Sequence, residues 1–164
     1  MTTVIKPPDR IDLKVGSFSL FLAGSIEMGA AEDWQKSVEA KLSDLNMILL
    51  NPRRENWDSS WEQRIDNPNF NEQVNWEISG IERADAVLFY FAPGSKAPIT
   101  LWELGFVTES KKVIVCCPEG FWRKGNIEVI CNRFNIPLYE KLEDAVVAVR
   151  KRFMSTELKD SLQR

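Results

Sequence analysis

The chain contains no histidine. The one side chain that ordinarily titrates near neutrality is therefore missing. Any mechanism must run on carboxylates, thiols, amides or the backbone. Cysteine is scarce: Cys116 and Cys117 are adjacent in an apolar run, and Cys131 stands alone. That spacing fits no metal site, and no histidine completes one. Buried structural thiols are the expectation. There is no cationic surplus either. A net charge of -3 argues against sequence-independent binding to a nucleic-acid polymer. No apolar run approaches the roughly 20 residues that span a bilayer, and the N-terminus lacks the features of a signal peptide. A cytoplasmic protein without membrane contact is expected. Neither a GxGxxG fingerprint nor a GK[ST] phosphate loop is present, and no cofactor or metal is expected. Internal repeats and low-complexity segments are absent.

What is present suits one ordinary soluble domain: 164 residues, of which 44% are apolar, enough for one full core. Residues 1–16, with Pro7, Pro8 and alternating charges, read as an arm or edge. Strands are predicted over 17–23, 47–50, 86–92, 113–117 and 136–139. Helices are predicted over 31–45, from Asn71 as cap to Arg83, and over 100–110, 127–134 and 142–153. Residues 53–70 form a long polar stretch with Trp57 and Trp61. The run 86–92 is almost continuously apolar, as in a strand buried on both faces of a parallel sheet. Strand-helix alternation of this kind predicts a single flavodoxin-like, Rossmann-like α/β domain over 17–154, with a doubly wound five-stranded parallel sheet. A tail over 155–164 would follow.

Ligands in such sheets bind outside the carboxyl ends of the strands. The segments placed there are 24–29, 51–54, 93–99 and 118–126. Glu103 follows one of them, flanked by Leu101, Trp102 and Leu104. Thr100 to Glu103 also matches T-x-x-E, the capping box that closes a helix start; both readings stand. Glu77 shares a helix face with Ile78 and Ile81. A carboxylate on an apolar face is costly unless paired or facing a ligand, and burial raises its pKa as a proton donor requires. Trp76 then points the other way, a hint of a subunit interface. The negative sign of Glu27 opposes a nearby phosphate and favours an uncharged ligand. Arg53 and Arg54 either bind an anion or pair with a neighbour such as Glu55. Trp57 and Trp61 either stack on a base or pack at the domain edge. Two acids at one sheet mouth suit cleavage at an acetal-like carbon through an oxocarbenium-like transition state.

Four segments carry a resemblance: Phe21-Leu22-Ala23-Gly24-Ser25-Ile26, Asn51-Pro52-Arg53-Arg54 with Trp57, Asn71 to Asp85, and Ala97 to Gly105. Together they resemble the nucleoside 2-deoxyribosyltransferases and the related deoxynucleoside-monophosphate N-glycosidases. The resemblance implies that Glu103 attacks the anomeric carbon of a 2-deoxyribonucleoside and forms a deoxyribosyl-enzyme. It implies that Glu77, where many relatives have Asp, handles the proton of the base. It places Gly24, Ser25 and Ile26 beside the sugar, and Asp85 as orienting a loop at the sheet mouth. Homo-oligomers with shared active sites are implied, with Asn126 as a contribution to a neighbour's pocket.

Departures also stand out. Phe21 replaces a tyrosine, Ala97 falls where some members carry a sugar-binding aspartate, and Glu27 replaces the arginine of the monophosphate glycosidases. The expected substrates are therefore nucleosides and free nucleobases, exchanged by a transferase. Hydrolysis by the same carboxylates is the alternative, and cleavage of the nicotinamide bond of NAD is a more distant one. A non-catalytic nucleoside-binding module remains a reading of a different class.

Overall fold

The computed structural model describes residues 1–26 and 33–162. The elements are β1 (Thr3–Ile5), β2 (Ser19–Gly24), α1 (Trp34–Lys41), β3 (Ile48–Leu50), α2 (Pro68–Arg83), β4 (Ala86–Tyr90), α3 (Pro98–Val107), β5 (Val113–Cys116), α4 (Lys124–Phe134), β6 (Leu138–Tyr139) and α5 (Leu142–Leu162). The strands form one sheet in the order β1-β3-β2-β4-β5-β6, and every pairing is parallel. The fold is the expected α/β arrangement with one strand more than the five predicted. The extra strand is β1, whose residues pair Thr3 with Ile48 and Ile5 with Leu50 at the sheet edge. The closing helix runs to Leu162, past the predicted end at Phe153.

Strand alternation sorts the core into two layers. Leu20 and Leu22 join Trp34 and Val38 of α1 and Ala145, Val146, Val149 and Phe153 of α5. Phe21 and Ala23 face the opposite layer, with Trp76 and Ile81 of α2, Leu104 and Val107 of α3, and Ile127 and Cys131 of α4. Helices thus cover both faces, which is why the central strands are apolar without a break.

Local chemistry fixes the helix that matters most for the site. α2 starts four residues before the predicted cap, because the Asn67 side chain accepts from the backbone N–H groups of Asn69 and Phe70, with Pro68 in the first turn. That pairing of a capping Asn with Pro is a strong helix start. Gly80 lets the helix close on β2: a Cβ there would lie 2.6 Å from the Phe21 ring. The outward orientation predicted for Trp76 is not found. The N-terminal segment lies across this part of α2, and Trp76 is buried, donating from Nε1 to the Asp9 carbonyl at 2.8 Å. Arg83 donates to the Ile11 carbonyl at 3.2 Å on the same side.

Candidate active site

From β2 the chain moves to β3 on one side, whereas β4 lies on the other. The carboxyl ends of β2 and β4 therefore border the crevice of a topological switch point. Two hydroxyls bridge it: Ser25, just after β2, and Ser95, in the loop after β4, are buried with their Oγ atoms 2.7 Å apart. Ser25 is held further by its N–H on the Tyr90 carbonyl at 3.2 Å and by Trp34 Nε1 on its own carbonyl at 3.1 Å. Gly24 is required by packing, since a Cβ would come within 2.6 Å of both Trp34 Cζ2 and the Tyr90 carbonyl oxygen. Ile26 is partly exposed at the rim. Glu27 lies outside the described residues.

α3 begins at this crevice. Ala97 precedes it in the left-handed region (φ 42°, ψ 52°) with no side-chain cap, and Pro98 occupies the first turn. Thr100 is consequently inside the helix and buried, so the capping-box reading of Thr100 and Glu103 fails. Glu103 sits in the second turn on the buried face with Thr100, Leu104 and Val107. Only 6% of it is exposed, and no described residue gives it a hydrogen bond or ion pair. Burial pushes its pKa from an ordinary 4.5 to about 8, and the negative charge of Glu77 adds to this. Glu77, partly buried on α2, is itself raised by burial. A hydrogen bond from Gln73 Nε2 to its Oε1, at 2.8 Å, opposes that rise. Both carboxyls are thus raised, and like charge couples the titration of Glu103 to that of Glu77.

The remaining expected site residues divide. Asn51 is buried and spent on the protein, donating to Glu39 Oε1 at 2.6 Å and accepting from the Arg53 N–H at 2.9 Å. Arg53 pairs with Asp33 at 3.5 Å. Arg54 pairs with Glu72, donates to Asn56 and covers the Trp61 ring at 5.0 Å. Trp57, 39% exposed, meets Trp61 edge-on at 5.1 Å. Asn126 is exposed on the first turn of α4. Asp85 is displaced from its expected place: it directly precedes β4, at the amino end of the sheet, and accepts from the Ser19 N–H and hydroxyl at 2.8 and 2.6 Å. It closes the end opposite the mouth.

Sequence reasoning missed Gln73 and Ser95. Gln73 lies one helical turn before Glu77, a spacing that brings side chains together; Ser95 carried no signal. The thiols offer no competing nucleophile. All three are buried, and burial pushes Cys116 and Cys117 up to about 12 and Cys131 up to about 11. Among the described residues, no group of three or more His, Cys, Asp or Glu is arranged to hold a metal ion, and no helix is long and apolar enough to cross a membrane.

A buried carboxylate pair at a switch point can supply a nucleophile and a proton donor at one carbon. The profile of a family described as "Nucleoside 2-deoxyribosyltransferase like" matches residues 17–121. The chain belongs to this family. The match spans β2 through the loop after β5 and includes both Glu77 and Glu103. Among curated proteins no significant match is found. Membership in the nucleoside 2-deoxyribosyltransferase-like family points to chemistry of the transferase or glycosidase type on nucleosides and nucleobases.

Proposed function

We propose that the protein exchanges nucleobases on 2-deoxyribose with retention of configuration. The observation that carries this is the buried pair, Glu103 raised to about 8 with the charge of Glu77 acting on it. The pair carries one proton, which rests on Glu103; the reacting form is the one in which Glu77 holds it and Glu103 is ionised. Glu103, ionised, attacks the anomeric carbon; the bond from that carbon to the base nitrogen breaks, and the base leaves with the electron pair. Glu77 gives its proton to the departing base. A second base then attacks the deoxyribosyl-Glu103 ester, frees the carboxylate and returns a proton to Glu77.

The surroundings support details of this reading. Arg54 is engaged by Glu72 at 2.9 Å, which favours nucleosides over their monophosphates, whereas Arg53 meets Asp33 only at 3.5 Å and its buried Nη1 has no hydrogen bond among the described residues. Gly24, Ser25 and Ile26 border the sugar, and half-exposed Trp57 stacks on the base. The chain works as a homo-oligomer: Ile99, Trp102 and Phe106 form an exposed apolar stripe on α3, with the last two rings parallel at 5.9 Å. Asn126 reaches a neighbouring pocket in that assembly.

The deciding experiment is chromatography of the protein with a purine 2-deoxyribonucleoside, with and without a free pyrimidine base. A new deoxynucleoside formed only with the added base is expected, and Glu103→Ala should abolish it in a folded protein. Free deoxyribose alone would make the protein a hydrolase. Saturable binding without turnover would make it a binding module.

A further inference from the structure

Gln73 is buried on α2, and both protons of its side-chain amide are spent. Nε2 donates to the Pro52 carbonyl at 2.9 Å and to Glu77 Oε1 at 2.8 Å. Both partners present acceptors, so a flipped amide would set oxygen against oxygen and lose both bonds; the orientation is dictated by its partners. The other end is anomalous. Among the described residues Gln73 Oε1 is buried without a hydrogen-bond partner, and native interiors rarely tolerate such an atom. An apolar isostere would remove that orphan oxygen, but only by giving up both donated bonds. What the amide does offer is a fixed donor for a carboxylate, anchored through Pro52 to the segment leaving β3.

We propose that Gln73 is a positioning residue: it holds the Glu77 carboxylate in one orientation and makes it easier to ionise than its burial would allow. This rests on the proposed role of Glu77 as the acid serving the base. Among the described residues, Gln73 is alone in that task. From α3 comes Glu103, an acid pushed up by the charge of Glu77 and supplying no cation to it. The segment after β3 carries Arg53 and Arg54, each paired with another carboxylate, Asp33 and Glu72. Without Gln73, Glu77 would hold its proton too tightly to pass it to the leaving base and recover it from the incoming one. With it, the proton moves both ways, as an exchange reaction requires.

The test follows the Glu77 carboxyl by carbon-13 NMR, with its resonance assigned by loss in Glu77→Gln. In a Glu103→Gln background Glu77 titrates without its coupled neighbour. Gln73→Met should raise its midpoint by about one pH unit. A folded Gln73→Met protein with lower melting temperature but an unmoved midpoint would reduce Gln73 to a structural tie and overturn the proposal. Should Gln73→Met not fold, Gln73→Glu keeps the shape but replaces the donor with an acid, and must raise the midpoint at least as far; an unmoved value overturns the proposal equally. Base exchange is measured separately on the Gln73 variants with Glu103 intact. Absence of exchange in every protein, wild type included, removes the proposed function while a moved midpoint still supports Gln73. Exchange with an unmoved midpoint removes the inference alone.

Discussion

Replacing Glu103 by glutamine changes one proton-binding site and little volume, and its effect on stability follows from the raised pKa. A buried carboxyl titrating at about 8 rather than 4.5 favours the folded state only while it is protonated. For a group raised in the fold, that stability is fully present below the unfolded value and is lost as pH rises through the folded one. The window is ~3.5 pH units at ~1.4 kcal/mol each, which bounds the loss at ~5 kcal/mol. Water entry and relaxation around the charge reduce this, so ~2–4 kcal/mol is expected. Glutamine carries no such proton. Glu103→Gln and wild type should therefore have similar unfolding free energies at pH 4.5, with the variant ahead by ~2–4 kcal/mol at pH 9. Urea unfolding at pH 4.5, 7 and 9 gives the comparison directly, provided the denaturant slopes agree. Other groups titrate alike in both proteins and cancel, apart from Glu77, whose ionisation is eased once Glu103 is neutral. A difference that stays constant across pH would refute the burial account of Glu103, and with it the poised pair. The same variant should lose base exchange by at least ~1,000-fold, as removal of a nucleophile does.

Gly24→Ala drives a methyl against the Trp34 ring and the Tyr90 carbonyl, and should cost ~1–3 kcal/mol; a thermal melt at wild-type temperature would contradict that packing. Ala97→Gly relieves a left-handed alanine and should gain ~1 kcal/mol in urea unfolding; a loss would mean the alanine methyl contributes more than its backbone strain costs. Trp102→Lys on the exposed stripe of α3 should lower the mass seen by light scattering without lowering the melting temperature of the monomer. A wild type already monomeric at working concentration would sink the self-association proposal.

The sheet was legible because its strands are buried on both faces, leaving unbroken apolar runs such as Ala86–Tyr90. Glu77 and Glu103 were legible for the complementary reason, as charges set among apolar neighbours. The misplacements came where a local pattern was overruled by a stronger local one or by distant chain. Pro98 starts α3 and so carries Thr100 past the capping position. Asn67 with Pro68 outranks Asn71 as the start of α2. Trp76 was assigned to the surface because nothing in α2 announces that residues near Asp9 and Ile11 cover it. Asp85 was placed at the mouth by family likeness, although its position just before β4 puts it at the amino end. β1 escaped the strand count because three residues ending before Pro7 carry little periodicity. Gln73 escaped notice because one of its two anchors, the Pro52 carbonyl, lies 21 residues away in sequence.

The register of β1 bears on how the chain is made. Thr3 pairs with Ile48, and β1 sits at the edge of the sheet with β3 beside it. During synthesis β1 therefore has nowhere to dock until about forty residues more have followed. Meanwhile its neighbours in sequence, which later cover Trp76, also wait for α2. The segment around β1 is thus set in place only after the strand and helix it depends on, and a perturbation there would interfere at that later step rather than at the start of folding.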